Sequence, residues 1–272
     1  MSLWVSLRGM WISFRSRRRL SRFYFIVSSF FMIIMIPKNF MILFDKLSLS
    51  HDRVDVFRDF LDMSLFVLSG GVYRDDYERI NKSYDVQEKD FFIQMLQIVA
   101  NHSEGFYDLL GDIFMDCISR GHNGQFFTPI HVADFMAEMI CGTRIRPGQS
   151  VYDPTCGSGR LLLSAVKCCT KDRPNERIFC YGSDIDLTCV KMTAVNMLMN
   201  SIPGEIAWMN PLTMEHWRSY KIRLQRVFGI WIPSFKVCGS GETNLLVRAK
   251  EVIKQQNVYP DVQQQLLLDF GI

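Results

Sequence analysis

At 272 residues, with 48% hydrophobic and 22% charged side chains, the chain has an ordinary globular composition and room for one large or two modest domains. Its net charge of +3 misleads: residues 1–44 hold seven basic side chains and no acidic one, and the remainder carries 24 basic against 28 acidic, so global charge offers no nucleic-acid footprint. The eight cysteines include no C-x-x-C pair, which argues against a zinc cluster or a disulfide framework and for a reducing, cytoplasmic compartment.

In chain order, residues 1–45 form a basic and hydrophobic extension. "RSRRRLSR" precedes "FYFIVSSFFMIIMI", a run shorter than the roughly 20 residues of a spanning helix and broken by Pro37, Lys38 and Asn39. Three readings stay open: a start codon upstream of the true one at Met32, Met35 or Met41, a membrane anchor, or a packed extension. The membrane reading is disfavoured. Residues 46–123 read as a helical domain. In "VDVFRDFLDMSLFVLSGG" the positions Phe57, Phe60, Leu61, Leu65 and Leu68 make one stripe, with Asp52 or Asp55 at its start and Gly70-Gly71 as a stop.

From residue 124 the texture alternates. Helices are expected near 129–141, 158–171, 186–200 and 213–222, and strands near 150–154, 178–184, 205–209 and 226–232, which predicts a parallel sheet with crossover helices over 124–240. Residues 241–272 read as a helical tail, in which "QQQLLLDF" is better taken as an amphipathic helix than as a clamp-binding peptide. The basic run Arg218, Lys221, Arg223 and Arg226 reads as a solvated helix face before it reads as a phosphate contact. The histidines show no metal-ligand spacing, and no metal is expected.

The chemistry concentrates in three motifs. "GQFFTP" (124–129) places Thr128 as an N-cap and Pro129 as a first helical residue, so a helix N-terminus can face an anionic group. "VYDPTCGSGR" (151–160) reads as strand, tight turn, helix, but Asp153 at its mouth would repel a phosphate, and the glycine spacing fits neither the P-loop nor the dinucleotide fingerprint. A carboxylate beside exposed N–H groups suits the ammonium and carboxylate of an amino-acid end. "YGSDID" puts Asp184 at a strand end, where a carboxylate accepts both hydroxyls of a ribose, and Asp186 caps the next helix.

Together "GQFFTP", "VYDPTCGSGRLLL" and "YGSDID" resemble the amino-methyltransferases that modify adenine N6 in DNA, and in particular the modification subunit of type I restriction systems, over roughly residues 55–235. The resemblance implies a Rossmann-like α/β fold, S-adenosylmethionine as cofactor, double-stranded DNA as substrate and a separate specificity subunit. It implies that Asp153, Thr155, Cys156, Gly157, Ser158, Gly159 and Arg160 hold the methionine end. Gln125, Phe126, Phe127, Thr128 and Pro129 would close over it, Asp184 would take the ribose, and Asn210 would lie near the adenine.

The family's catalytic tetrapeptide, Asn/Asp-Pro-Pro-Tyr/Phe, reads Ile232-Pro233-Ser234-Phe235 here. Pro233 and Phe235 match as catalytic candidates, whereas Ile232 replaces the polar acceptor and Ser234 the second proline. The domain therefore reads as truncated after its fourth strand. Two functions follow: N6-adenine DNA methyl transfer, or a catalytically degenerate S-adenosylmethionine-binding protein associated with DNA.

Overall fold

The computed structural model describes residues 3–7, 10–14, 36–119, 126–141, 150–171, 177–227 and 230–245. The chain divides into two compact units, Met1–Lys38 and Asn39–Ile272. The first holds an antiparallel hairpin of β1 (Leu3–Leu7) and β2 (Met10–Phe14), with Leu3 opposite Phe14. Sequence reading did not anticipate it. The apolar run from Phe23 to Met35 lies outside the described residues, and among the described residues no helix is long and apolar enough to cross a membrane.

The second unit opens with helices whose ends are written in the sequence. These are α1 (Lys38–Leu47), α2 (Arg53–Leu68), α3 (Tyr77–Ser83), α4 (Val86–His102) and α5 (Leu109–Ile113), the last running into a π-helical turn, Phe114–Ser119. The Asp52 side chain accepts from the N–H groups of Val54 and Asp55, and Asp85 and Glu88 form a full capping box on α4. Gly70 and Gly71 end α2 with φ of 63° and 80°, which a side chain would resist. Phe57, Phe60, Leu61 and Leu65 are fully buried as the stripe predicts.

The α/β part contains α6 (Ile130–Cys141), β3 (Ser150–Asp153), α7 (Arg160–Thr170), β4 (Phe179–Asp184), α8 (Leu187–Met199) and β5 (Gly204–Asn210), followed by β6 (Glu215–Val227) and β7 (Ile230–Cys238). The sheet runs β3-β4-β5-β6-β7. Strands β3, β4 and β5 are parallel, with Asp153 beside Gly182 and Asp184 beside Trp208. The fold is thus α/β with a mixed five-stranded sheet.

Two expectations fail in its second half. Residues 213–222 are not a helix, and the fourth strand is not parallel: β6 and β7 form an antiparallel hairpin on β5. The reason is the two-residue repeat Tyr220, Ile222, Leu224, which a strand, but not a helix, puts on one face. Tyr220 and Ile222 are buried, and Tyr220 stacks on Phe235 of β7 at 5.7 Å while Tyr73 of the helical region meets both rings edge-on. The basic run is therefore a strand: Arg218 pairs with Asp75, Lys221 lies 3.8 Å from buried Glu205, and Arg223 and Arg226 are exposed. The tail beyond Leu245 lies outside the described residues.

Helical region and sheet share one core. α2 packs on α8, where Lys191 Nζ meets Asp62 at 2.6 Å and Tyr73 donates to the same carboxylate at 2.7 Å. Burial pushes the Asp62 carboxyl up, and Lys191 opposes that shift.

At the far side of the sheet, His216 Nδ1 accepts from the Gly241 N–H at 2.9 Å, and Nε2 lies 2.8 Å from Ser219 Oγ. Accepting at Nδ1 requires a neutral ring. Burial lowers the His216 pKa below its ordinary 6.5, against the pull of Glu205. Above that value both folded and unfolded rings are neutral and the contribution is whole. As pH falls below it the unfolded ring takes a proton that the folded ring refuses, so stability is lost. Urea midpoints at pH 7.5 and 5.5 should fall more for the parent than for His216→Gln; equal falls would remove His216 as the cause.

Candidate functional site

The three parallel strands deliver their carboxyl ends to one edge, the usual ligand edge of an open α/β sheet. A cavity of about 390 Å³ opens there, lined by Phe126, Phe127, Thr128, Asp153, Thr155, Cys156, Gly157, Ser158, Arg160, Leu161, Asp184, Ile185 and Cys189. That volume lies within the range of small-molecule sites.

The turn after β3 is built on two left-handed glycines. Gly157 has φ 55° and Gly159 φ 88°. A Cβ at Gly157 would sit 3.0 Å from the Phe127 ring, and one at Gly159 3.0 Å from Thr193 Cγ2, so both positions need glycine for conformation and for space. Thr193 Oγ1 ties the turn down by donating to the Gly157 carbonyl at 2.8 Å.

Asp153 is buried at the mouth of this turn. Its Oδ1 accepts from the Thr155 N–H at 3.0 Å, while Oδ2 has no hydrogen-bond partner although it is shielded from solvent. Burial pushes this carboxyl up, with the Thr155 bond opposing. A buried acceptor without a donor is costly unless a ligand supplies one. Asp184 differs. Its Oδ2 accepts from the Gly157 N–H and its Oδ1 from the Asp186 N–H, both at 2.9 Å, so the carboxylate is locked across the turn with lone pairs to spare. Burial raises it too. Asp186 caps α8 by accepting from Thr188 N–H, as its position implies.

Arg160 lines the cavity, yet its guanidinium is committed elsewhere. Nε donates to Asp108 at 2.9 Å, Nη2 to Asp112 at 2.6 Å and Nη1 to the Thr128 carbonyl at 3.2 Å. It is an anchor between the turn, the helical region and the "FFTP" segment. Asp108, fully buried, accepts from Gly111 N–H, Ser158 Oγ, Arg160 Nε and Asn196 Nδ2, which saturates its acceptor sites. Sequence reading missed Asp108, Asp112 and Asn196. The available signal was two acids four residues apart on one face of "YDLLGDIF", where burial demands a cation.

Phe127 stacks on Phe114 at 5.4 Å, Phe126 is 75% exposed beside it, and Pro129 opens α6 by accepting at its carbonyl from Val132 and Ala133. Gln125 lies outside the described residues. Asn210 does not line the cavity: its Oδ1 accepts from Leu212 and Thr213 N–H and shapes the turn after β5. The tetrapeptide is not brought there either. Ile232, Pro233, Ser234 and Phe235 lie along β7 opposite Gln225, Leu224, Arg223 and Ile222, and Phe235 is buried against Tyr220 and Tyr73.

Residues 107–227 match the N-6 DNA Methylase family. The methylase subunit of the type I restriction enzyme MpnII from Mycoplasma pneumoniae is 26% identical over 148 residues, which take in 50% of this chain and 27% of that protein. The methylase subunit of the type I restriction enzyme EcoEI from Escherichia coli is 33% identical over 119 residues, 39% of this chain and 23% of the relative. The chain thus spans about a quarter of the length of these curated relatives. A solved methyltransferase subunit of a type I restriction-modification system from Streptococcus thermophilus aligns over 70% of this chain and 42% of its own, at 20% identity and a TM-score of 0.33, too low to bear on function.

Proposed function

We propose, on the premise that residues 107–227 belong to the N-6 DNA methylase family, that this chain holds S-adenosylmethionine at the carboxyl edge of β3 and β4 for methyl transfer to adenine N6 in double-stranded DNA. The observation that carries the cofactor reading is the pairing of an unpartnered, buried Asp153 Oδ2 with the locked Asp184 carboxylate on either side of a left-handed glycine turn. In this reading Asp153 accepts from the ammonium and Asp184 accepts from ribose hydroxyls. When bound, the cofactor supplies an electrophilic methyl group. The chain's own contribution is orientation and exclusion of water, by the Phe126-Phe127 flap and by the Arg160 anchor beneath the turn.

Relatives named as methylase subunits of type I restriction enzymes support a setting with further subunits; in this reading one of them, a separate specificity subunit, reads the DNA sequence, and the complex works in the cytoplasm. A second reading, cofactor binding without turnover by this chain alone, is favoured by one observation: the tetrapeptide 232–235 belongs to an edge strand and not to the cavity.

Titration calorimetry tests the cofactor reading. S-Adenosylmethionine should bind, and Asp153→Ala and Asp184→Ala should each weaken it about ten- to hundredfold, the cost of losing a hydrogen bond to a charge. Absence of heat, or unchanged affinity in both variants, would sink it.

A further inference from the structure

A hydroxyl inside a helix ordinarily bonds back to its own helix. Ser64, Ser103 and Thr170 do so, each donating to the carbonyl four residues earlier, of Phe60, Val99 and Val166. Thr193 does not. It sits in the middle of α8, fully buried, and its Oγ1 donates across to the Gly157 carbonyl at 2.8 Å. Its methyl carbon Cγ2 lies 3.0 Å from where a Cβ would stand on Gly159. Asn196, three residues on and so on the same helix face, donates from Nδ2 to the Ser158 carbonyl at 2.9 Å. Neither side chain lines the cavity.

Two consecutive carbonyls of the turn are thereby drawn to α8. The peptide bonds are trans, and in a trans unit the N–H points opposite to the C=O. The Asn196 bond thus sends the Gly159 N–H away from α8, where it donates to the Cys156 carbonyl at 2.7 Å and closes the turn. At Gly157 the same logic reaches the site. Its carbonyl is held by Thr193, and its N–H donates to Asp184 Oδ2 at 2.9 Å. A glycine at φ 55° has no side chain to fix it, so these bonds, one on each side of its Cα, set its two peptide planes.

We propose that Thr193 is a positioning residue for the cofactor. By holding the Gly157 carbonyl it aims the Gly157 N–H at Asp184, and so keeps that carboxylate turned to accept ribose hydroxyls. The role rests on the cofactor reading given above and adds to it a residue that never touches the ligand.

Titration calorimetry of S-adenosylmethionine on the full chain tests it. Thr193→Val keeps the methyl group over Gly159 and removes the donor; affinity should fall about tenfold, the effect of leaving a buried acceptor unpaired, with circular dichroism as in the parent. Thr193→Ser keeps the donor and should recover most of the loss. Thr193→Ala, which removes the hydroxyl without adding a methyl group, gives the same reading where the valine variant does not fold. The decisive comparison uses Asp184→Ala. Because Thr193 acts through Asp184, adding Thr193→Val to Asp184→Ala should cost far less than Thr193→Val does alone, whereas a merely structural Thr193 would give losses that multiply. Parental affinity in the valine and alanine variants overturns the proposal and leaves the cofactor reading standing, and multiplying losses do the same. A parent chain that gives no heat sinks the cofactor reading, and the positioning role falls with it.

Discussion

Asp108→Ala should cost about 3–5 kcal/mol of unfolding free energy, the loss found when one partner of a buried ion pair is removed. The reason lies in what Asp108 leaves behind. Arg160, 7% exposed, would keep Asp112 but lose its Nε acceptor, Ser158 Oγ and the Gly111 N–H would become buried donors without a partner, and Asn196 Nδ2 would keep only the Ser158 carbonyl. A domain stabilised by roughly 5–15 kcal/mol would lose from about a fifth to all of its margin. Urea denaturation followed by circular dichroism reads the shift. A loss under ~1 kcal/mol would mean that the Arg160 cluster is incidental to stability.

The unaltered chain should transfer no measurable methyl to DNA while binding cofactor. N6 is a weak nucleophile, and a missing polar acceptor costs on the order of 10²–10³ in rate by analogy with oxyanion-hole deletions. The tetrapeptide that resembles the family's catalytic motif carries Ile232 in place of that acceptor, and its strand is held in register with β6, Phe235 locked between Tyr220 and Tyr73. Restoring the motif by Ile232→Asn with Ser234→Pro should therefore fail to restore activity, since the new amide would stand on the edge hairpin. Tritiated S-adenosylmethionine and bulk DNA, with and without a specificity protein, decide it. Robust N6-methyladenine from the parent alone would refute the second reading, binding without turnover, and support the first; a gain in the double variant would show that β6 and β7 rearrange on DNA.

Local rules made much of this legible. Asp52 announces a helix start because an N-cap acts on N–H groups two or three residues away. Asp153, the glycine turn and Asp184 announce a site because strand, turn and helix fix where each residue goes. The hairpin stayed hidden because "EHWRSYKIRLQR" also spaces Arg218 from Lys221, and Arg223 from Arg226, by three residues as a helix face would, and contacts distant in the chain, Tyr73 and Phe235 on Tyr220, favour the two-residue repeat over the helical one. Phe235 shows the limit of motif logic: its place in a tetrapeptide made it a catalytic candidate, and the ring packs in the core. Arg160 fell the same way, from presumed ligand to structural tie.

The Asp108 cluster also sets an order of events during synthesis. The carboxylate leaves the ribosome well before the last of its donors, Asn196, which lies 88 residues later. At about 5–20 residues per second that is a wait of roughly 4–18 s. Throughout it Asp108 has no buried home and α5 no reason to dock. Lys191 imposes a longer delay, roughly 6–26 s, on Asp62 and α2. The helical region, although made first, is thus the part that must wait for a chaperone or for α8, and a nascent chain stalled short of Asn196 would present its apolar helices to the cytosol with nothing to close over them.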